Sequence, residues 1–398
     1  MLYNKEVIDL AKNEINNSTI KSFIKATKNV FEEQSVWNKD LLIVKVNEDY
    51  PYVYTRDLSI LIKFLIENDE KYFAKSAIDF LMKCQLNNGE WVQRYNDISI
   101  RQEDKLQEDN TPLALWALLS FIDEYDEYDV YNKYKIEISK GLNWIESNLN
   151  DKNNLLYSHS SNHEDGINEG FELWTNSVLA RVFYLSSKII GENKYNDLYN
   201  KVYDSILKNL TFDDRFIRKI DKKGNKYFEA DIILLSPFYF DILDCNDILL
   251  KNSIKKIEKE LYDNNLGGYW RYEDDVYFPG PWIIYSAIIA QYYYNVGDKN
   301  KGDEIISWIF KHDDNGELPE HLVSEKQFNK YKDHQIKRAK SMPIEKMKKA
   351  RINAIKNLES TFENSNIAYY AQPILWSHIE TARALKDGGY IDNINLSS

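Results

Sequence analysis

Apolar residues recur every three to four positions along most of the chain, which is the spacing of one face of an α-helix. Residues 56–68 show this pattern through Leu58, Leu61 and Phe64. The same spacing predicts further helices at residues 18–33, 72–86, 110–123, 129–148, 173–189, 194–210, 229–241, 248–262, 281–295, 298–311 and 367–386. The strict alternation typical of strands is almost absent. The pattern therefore predicts an all-α fold.

The predicted helices come in pairs joined by short polar links, such as residues 67–70 and 295–298. One helix of each pair is rich in apolar residues, and the next is more amphipathic. Six such pairs closed in a ring would form an inner and an outer layer of helices, with the loops between pairs at one end. No linker rich in Pro, Gly or Ser divides the chain, so we expect a single domain over residues 1–398.

The segment 322–364 differs from the rest in charge. It contains 11 Lys and Arg against 5 Asp and Glu, a net charge of +6 in a chain whose net charge is −12. Its residues 343–359 have a helical pattern. We interpret the segment as a basic insertion, favouring a solvated one over a lid on a site or an oligomer contact. The oligomeric state itself does not follow from the sequence.

The composition, with 43% hydrophobic and 29% charged residues, predicts a globular protein. The net charge of −12 argues against a nucleic-acid or anionic-membrane partner, because an acidic surface repels both. Aromatic residues make up 14% of the chain, which suits a carbohydrate site, although most of them are expected to serve packing.

Neither a metal nor a cofactor is indicated by the sequence. Cys84 and Cys245 are the two cysteines, too few for a disulfide framework, and no cluster of His and Cys has the spacing of metal ligands. The first residues lack the apolar run of a secretory signal, and no segment has the length of uninterrupted apolar sequence that a membrane span needs. The simplest expected location is the cytoplasm.

Four segments carry the candidate chemistry. Gly316 and Pro319 break any helix on either side and would hold Glu320 on a fixed loop. The other three are Tyr-Val-Tyr-Thr-Arg-Asp at residues 52–57, Gly-Gly-Tyr-Trp-Arg-Tyr at residues 267–272 and Gln-Pro-Ile-Leu-Trp-Ser-His at residues 372–378. Together the four resemble the glucoamylase family, glycoside hydrolase family 15, and the resemblance extends over about residues 50–385.

This resemblance implies that Glu320 is a general base that activates water, with His321 in place of the family's usual Gln. It also implies a general acid near residue 164. Glu164 takes that position and Asp165 a neighbouring sugar-binding one, while His163 replaces a Trp. Two alternatives stay open: Glu172 (or, less favoured, Glu169) as the acid, or a chain that has lost its acid.

The first-sugar site implied by the resemblance includes Arg56 and Asp57, which would bind hydroxyl groups, and Tyr54, which stands where many members carry Trp. The chemistry fits, because Arg donates through a planar fork and Asp accepts from two hydroxyls. Asp109, in a Gln-x-Asp segment before a predicted helix, would support the site.

The segment at residues 267–272 supplies the remaining candidates. Arg271 would bind sugar hydroxyls, and Trp270 or Trp282 would form a wall of the sugar site. For Trp282, a role as a core anchor at a helix start is an equally good interpretation.

The resemblance implies an (α/α)6 barrel and an inverting, exo-acting enzyme that releases glucose from the non-reducing ends of α-glucans or maltodextrins. Inversion uses two carboxyl groups about 6.5–9.5 Å apart, on opposite faces of the sugar. We therefore expect Glu164 and Glu320 to face each other across a pocket lined by Arg56, Asp57 and Arg271. The expected partner is an oligosaccharide or polysaccharide.

The main alternative is a non-catalytic, sugar-sensing or protein-interaction domain on the same fold. His163 at the acid motif supports it. Four retained residues argue against it: Arg56, Asp57, Arg271 and Glu320. A polysaccharide lyase on the same fold is disfavoured, because its expected Tyr, His and Arg pattern is not found.

Overall fold

Helices form most of the protein. The structure, a computed structural model, describes residues 15–102, 107–160, 162–164, 169–313 and 316–396. Its helices are α1 (Asn17–Gln34), α2 (Thr55–Glu67), α3 (Lys71–Lys83), α4 (Asn110–Tyr125), α5 (Tyr128–Asn148), α6 (Leu173–Ile190), α7 (Asn193–Asn209), α8 (Ser236–Tyr239), α9 (Ile248–Leu261), α10 (Ile283–Asn295), α11 (Lys299–Lys311), α12 (Glu325–Lys340), α13 (Glu345–Thr361) and α14 (Leu375–Asp387), with a 3-10 helix at Ile232–Leu235.

Short strands connect these helices. They are β1 (Ser35–Asn38), β2 (Leu41–Val44), β3 (Val53–Tyr54), β4 (Arg94–Tyr95), β5 (Phe171–Glu172), β6 (Thr211–Phe212), β7 (Arg215–Phe216), β8 (Lys219–Ile220), β9 (Lys226–Tyr227), β10 (His321–Ser324) and β11 (Ile367–Tyr370). Each pairing whose register is defined, such as β3 with β4 and β10 with β11, is antiparallel. Strands of two to four residues are too short to show a period-2 pattern, which is why the sequence did not predict them.

The chain forms two compact units. The middle unit comprises Trp37–Ile43 and Val53–Ile257, and the terminal unit comprises the described residues up to Val36, Val44–Tyr52 and the residues from Glu258 onward. The expectation of a single domain stays a prediction.

In the middle unit, α2, α4 and α6 pack side by side, and each also packs against the helix that follows it. α4 is buried on every face from Asn110 to Ile122, whereas its partner α5 buries six residues among 21. A helix that is apolar all round belongs in a core, and an amphipathic one belongs outside it. The alternation of apolar and amphipathic helices predicted from the sequence is confirmed in this unit.

In the terminal unit, α10 is the buried helix, with every residue from Ile283 to Tyr294 shielded from solvent. It packs against α11 and α14, and α1 packs against α14. The predicted basic insertion contains two helices, α12 and α13, that pack on each other. The predicted helix at residues 343–359 is confirmed as α13, while α12 was not predicted.

Two predicted helices are corrected. Residues 367–386 were expected to be one helix, but Ile367–Tyr370 is strand β11 and the helix begins at Leu375. Pro373 separates them, since a helix interior does not accommodate proline. Within residues 229–241, the 3-10 helix Ile232–Leu235 is followed by the single turn of α8, which ends at Tyr239, and Asp241 just beyond it has a left-handed conformation with φ 53°. Among the described residues, no helix combines the length and the hydropathy that crossing a bilayer requires.

Candidate active site

The turn that carries Glu320 is fixed by the first residues of α14. Ser377 Oγ donates to the carbonyl of Pro319 at 2.6 Å, and the backbone N–H of Leu318 donates to His378 Nε2 at 3.1 Å. Gly316 has φ 90°, and a Cβ there would lie 2.6 Å from Ala26 Cβ, so both conformation and space require glycine. These contacts explain why the Trp-Ser-His segment accompanies the turn in the sequence.

His378 is a fully buried, neutral histidine. Because its Nε2 accepts from Leu318, its Nδ1 carries the proton and donates to Thr27 Oγ1 at 3.0 Å. Thr27 in turn donates to the carbonyl of Phe23 at 2.9 Å. Burial lowers the pKa of His378 to about 3, which keeps the ring in the neutral form that this tautomer requires.

The Glu320 backbone is held on both sides. Its N–H donates to the carbonyl of Tyr370 at 2.9 Å, and its carbonyl accepts from the N–H of Ile283 at 3.1 Å. The residue is 8% exposed. Its Oε2 accepts a hydrogen bond from the Tyr50 hydroxyl at 2.9 Å and lies 3.5 Å from His321 Nδ1. The structure therefore gives Glu320 a fixed position, as expected from the turn.

Tyr50 begins a network of tyrosine hydroxyls in the terminal unit. Its hydroxyl lies 2.9 Å from that of Tyr277, which lies 3.1 Å from that of Tyr370. Burial and then the charge of Glu320 raise the pKa of Tyr50 well above its ordinary value, so the hydroxyl stays protonated and donates. The sequence analysis did not identify Tyr50. The signal available was its place in the run Tyr50, Tyr52, Tyr54.

The Arg271 segment packs beneath His321. Arg271 makes a bidentate contact with Asp275 at 2.6 Å and 2.8 Å, and its guanidinium lies 4.8 Å from the Trp282 ring. Trp282 stacks on His321 with centroids 4.4 Å apart, and both are buried. Trp282 is thus packed in the core at the start of α10, which fits the core-anchor interpretation. Trp270 is half-buried, and its indole N–H donates to Asp263 at 2.9 Å.

Arg56 organises the candidate residues of the middle unit. It is 4% exposed and contacts Asp109 Oδ2 at 3.1 Å and Glu164 Oε1 at 3.6 Å. Trp174 donates its indole N–H to the same Asp109 oxygen at 3.1 Å. Burial raises the pKa of Asp109, while the Arg56 charge opposes that rise. The structure brings together Arg56, Asp109 and Glu164, three of the residues that the sequence predicted.

The remaining predicted residues of this unit have less defined surroundings. Tyr54 ends β3 just before α2, and its hydroxyl accepts from Arg94 at 3.1 Å. Asp57 is half-buried in the first turn of α2, where the helix dipole favours a negative charge. Asp165 lies outside the described residues.

His163 makes a buried ion pair where the sequence suggested only the loss of an apolar wall. Its Nε2 lies 2.7 Å from Asp231 Oδ1, and Arg218 Nε lies 3.0 Å from the other Asp231 oxygen. Asp231 also accepts from the Ile233 N–H at 3.0 Å. Burial raises the pKa of Asp231, but His163 and Arg218 outweigh it and bring the pKa below its ordinary value. This pair anchors the backbone next to Glu164, whose φ is 59°.

Glu172, the alternative acid, is a buried helix-start residue. It is 1% exposed, and its Oε1 accepts from the Thr175 hydroxyl at 2.8 Å. Its carbonyl accepts from the Asn176 side chain at 2.8 Å. Glu164, by contrast, has 34% of its side chain exposed. No group of three or more His, Cys, Asp and Glu side chains in the described chain is arranged to hold a metal.

The fold is that of the glucoamylase-like (α/α)6 toroids. A wild-type glycosidase matches with a TM-score of 0.69 at 13% identity, over 98% of this chain and 100% of its own. A bacterial glucoamylase complexed with acarbose matches with a TM-score of 0.63 at 13% identity, over 87% of this chain and 51% of its own. The glucoamylase of Saccharomycopsis fibuligera matches with a TM-score of 0.58 at 12% identity, over 93% and 95% of the two chains. The predicted fold class is confirmed, and the resemblance found in the sequence is confirmed at the level of the fold.

In sequence, the chain is similar to an uncharacterized glycosyl hydrolase of Methanocaldococcus jannaschii, with 24% identity over 305 residues. The match covers 70% of this chain and 48% of the relative, so the chain spans about half the length of that protein. No profile of a known protein family matches the chain.

Proposed function

We propose that the chain is an inverting glycoside hydrolase that releases glucose from the non-reducing ends of α-glucans or maltodextrins. Glu320 is the general base and Glu164 the general acid. The observation that carries the proposal is the Tyr50–Glu320 contact of 2.9 Å on a carboxylate whose backbone is held on both sides. A general base needs this fixed geometry, because its position relative to the attacking water sets the rate.

The proposed base step uses the two oxygens of Glu320 differently. Oε2 accepts from Tyr50, which holds the carboxylate in one orientation. Oε1 takes the proton of a water molecule as that water attacks the anomeric carbon. The bond from this carbon to the leaving oxygen breaks in the same step, and the leaving oxygen receives a proton from the acid.

Glu164 is preferred to Glu172 as the acid because it is accessible. The carboxyl of Glu172 is buried, and its Oε1 already accepts a hydrogen bond from the Thr175 hydroxyl, so it is less accessible to a leaving group. Glu164 is partly exposed and adjoins Arg56, whose donors also suit the hydroxyls of the terminal sugar. The buried His163–Asp231 pair supplies a reason for the altered residue next to Glu164 that does not require a lost acid.

The test is to incubate the protein with maltose, maltotriose, isomaltose and trehalose and to follow the anomeric protons of released glucose by NMR in the first minutes. We expect β-glucose first, because a single displacement inverts the α-linkage. Early α-glucose from maltotriose would assign a retaining mechanism and a different carboxylate pair, whereas trehalose releases one α-glucose as its leaving group under either mechanism. Sugar binding without hydrolysis of any of the four would favour the sensing or scaffold alternative.

A further inference from the structure

The basic insertion reaches the Glu320 network through buried side chains. We use the name basic hairpin for its two helices, α12 and α13, together residues 325–361. Most of its lysines, including Lys356, are exposed, but Arg351 of α13 is 6% exposed and Gln335 of α12 is fully buried. Gln335 donates to the carbonyl of Val276 at 2.6 Å, next to Tyr277. The hairpin is therefore packed into the terminal unit rather than merely solvated.

Arg351 lies among the three tyrosines that lead to Glu320. Its Nη1 donates to the Tyr370 hydroxyl. Its guanidinium carbon lies 4.6 Å from the Tyr277 ring centroid and 5.4 Å from that of Tyr50. The guanidinium of Arg338, in α12, lies 5.6 Å from the Tyr277 ring. Both helices of the basic hairpin thus place a guanidinium on Tyr277.

A buried guanidinium is costly unless its charge and donors are satisfied. Here the tyrosine faces supply cation–π attraction and Tyr370 supplies an acceptor. The charged groups around this cluster are Asp49, Glu320 and three arginines, Arg351, Arg338 and Arg271, the last with its guanidinium 5.2 Å from the Tyr277 ring. The polar groups in contact with the Glu320 carboxylate are Tyr50 and His321. Burial raises the pKa of Asp49 and the Arg351 charge opposes the rise.

We propose that Arg351 is a positioning residue for the hydrolysis: it fixes Tyr370 and Tyr277, which in turn hold the Tyr50 hydroxyl on Glu320. The basic hairpin then contributes to the geometry of the site. This proposal rests on the proposed role of Glu320 as the base. It assigns a function to a segment whose sequence alone indicated only an insertion.

The first experiment compares Arg351→Gln and Arg351→Lys with Lys356→Gln, an exposed control on the same helix. We expect Arg351→Gln to lower kcat about 10- to 100-fold with KM changed less than about threefold, since misplacing a catalytic group by ~1 Å can cost ~10²-fold. Arg351→Lys should restore part of the loss, and Lys356→Gln should match the wild type. An unchanged kcat in folded Arg351→Gln would overturn the proposal.

Two further variants separate positioning from general loss of structure. In Arg351→Ala, added guanidinium chloride at non-denaturing concentration should raise kcat, while the wild type and Lys356→Gln show no gain. Combined with Tyr370→Phe, Arg351→Gln should cost less than the product of the two separate losses, because both act through one network. If the double variant loses the full product of the two separate losses, the proposal is contradicted, even if one variant alone is poorly folded.

The last readout does not depend on activity. Crystal structures of the wild type and Arg351→Gln (or Tyr370→Phe, if the former does not fold) would report the Tyr50–Glu320 contact directly. We expect the 2.9 Å distance to be lost in the variant. If it is kept, Arg351 does not position the base. If the wild type hydrolyses no glucoside but the contact depends on Arg351, the proposed function fails and the positioning stands.

Discussion

The two candidate carboxylates have contrasting surroundings. Glu320 in the terminal unit is 8% exposed, held by a tyrosine hydroxyl and fixed through its backbone to Tyr370 and Ile283. Glu164 in the middle unit is partly exposed, has φ 59° and adjoins Arg56 at 3.6 Å. The first is held through both its backbone and its side chain, whereas the second is a partly exposed loop residue beside a buried cation.

This contrast matches the different demands on a base and an acid. A base must be ionised and aimed at a small water molecule, so a preset geometry helps. An acid must carry its proton, whereas a neighbouring cation such as Arg56 favours the ionised carboxylate. The ion pair with Asp109 offsets part of the Arg56 charge. Sugar hydroxyls bound by Arg56 would move its guanidinium further from Glu164. The comparison therefore predicts that Glu164 becomes a working acid only once a sugar is bound, whereas Glu320 has its working geometry without one.

The largest expected effect is that of Glu320→Gln. The amide keeps the shape but does not accept the proton of water, so we expect kcat to fall by about 10²- to 10⁴-fold or more. Binding of glucose, measured by calorimetry, should survive. Glu325→Gln, an exposed change on the next helix, is the matched control. Near wild-type turnover of Glu320→Gln would remove this residue from the mechanism.

Glu164→Gln tests the other side of the comparison. An acid is needed most when the leaving group is poor, so we expect a loss of about 10²- to 10³-fold on maltose and a much smaller one on α-glucosyl fluoride. The matched control is Glu169→Gln, an exposed neighbour whose carboxylate accepts from Tyr157 at 2.7 Å. Equal losses on both substrates would argue against an acid role, and a loss in Glu169→Gln instead would move the role there.

The two units should also respond differently to acid. The pKa of His378 is about 3 when folded and 6.5 when unfolded, so its contribution to stability is complete above pH 6.5 and is lost as the pH falls toward 3. At pH 5 the loss is about 2 kcal/mol, since one pKa unit is about 1.4 kcal/mol. For Asp231 in the middle unit, whose folded pKa is lowered, stability is lost only below 3.8.

Hydrogen exchange at pH 7 and pH 5 would measure this difference. We expect amides of α14 to lose protection at pH 5, while those around the 3-10 helix that Asp231 caps do not. His378→Asn should lower the hydrogen-exchange protection of α14 at both pH values and reduce the difference between them. Equal sensitivity of both regions would show that His378 does not govern the acid response.

The smallest effect is expected for Tyr50→Phe, which removes one hydrogen bond to Glu320 but leaves the turn intact. A hydrogen bond to a charged group contributes about 1.5–3 kcal/mol, so kcat should fall roughly 10- to 100-fold. Tyr52→Phe serves as the comparison, because among the described residues the tyrosine hydroxyl that donates to Glu320 is that of Tyr50. A loss as large as that of Glu320→Gln would mean that Tyr50 takes part in the proton transfer itself.

The sequence predicted the parts of the molecule that depend on local pattern. Helices such as α4 and α6 have continuous apolar spacing, and their observed bounds lie within two residues of those predicted. The Glu320 turn was identified because Gly316 and Pro319 interrupt helical structure locally. Arg56, Asp109 and Glu164 came from motifs, and their roles stay predictions.

What the sequence did not predict depends on contacts between distant segments. Tyr50 and Glu320 are 270 positions apart, and His163 and Asp231 are 68 apart. Arg351 shares the buried helix face of Met347 and Ile355, so the spacing indicates its burial, but the tyrosines that surround its guanidinium come from distant segments. The two-residue strands are likewise set by their partners and not by their own composition.

The pairing of β10 with β11 has a consequence for how such a protein changes over generations. Ser324 lies opposite Ile367, so the chain leaves the ladder and returns to it at one place, with residues 325–366 between. An extension at that point can lengthen, shorten or be exchanged while the ladder keeps Glu320 and Tyr370 in register. Changes of length within residues 325–366 can therefore arise by mutation without breaking the backbone hydrogen bond between Glu320 and Tyr370.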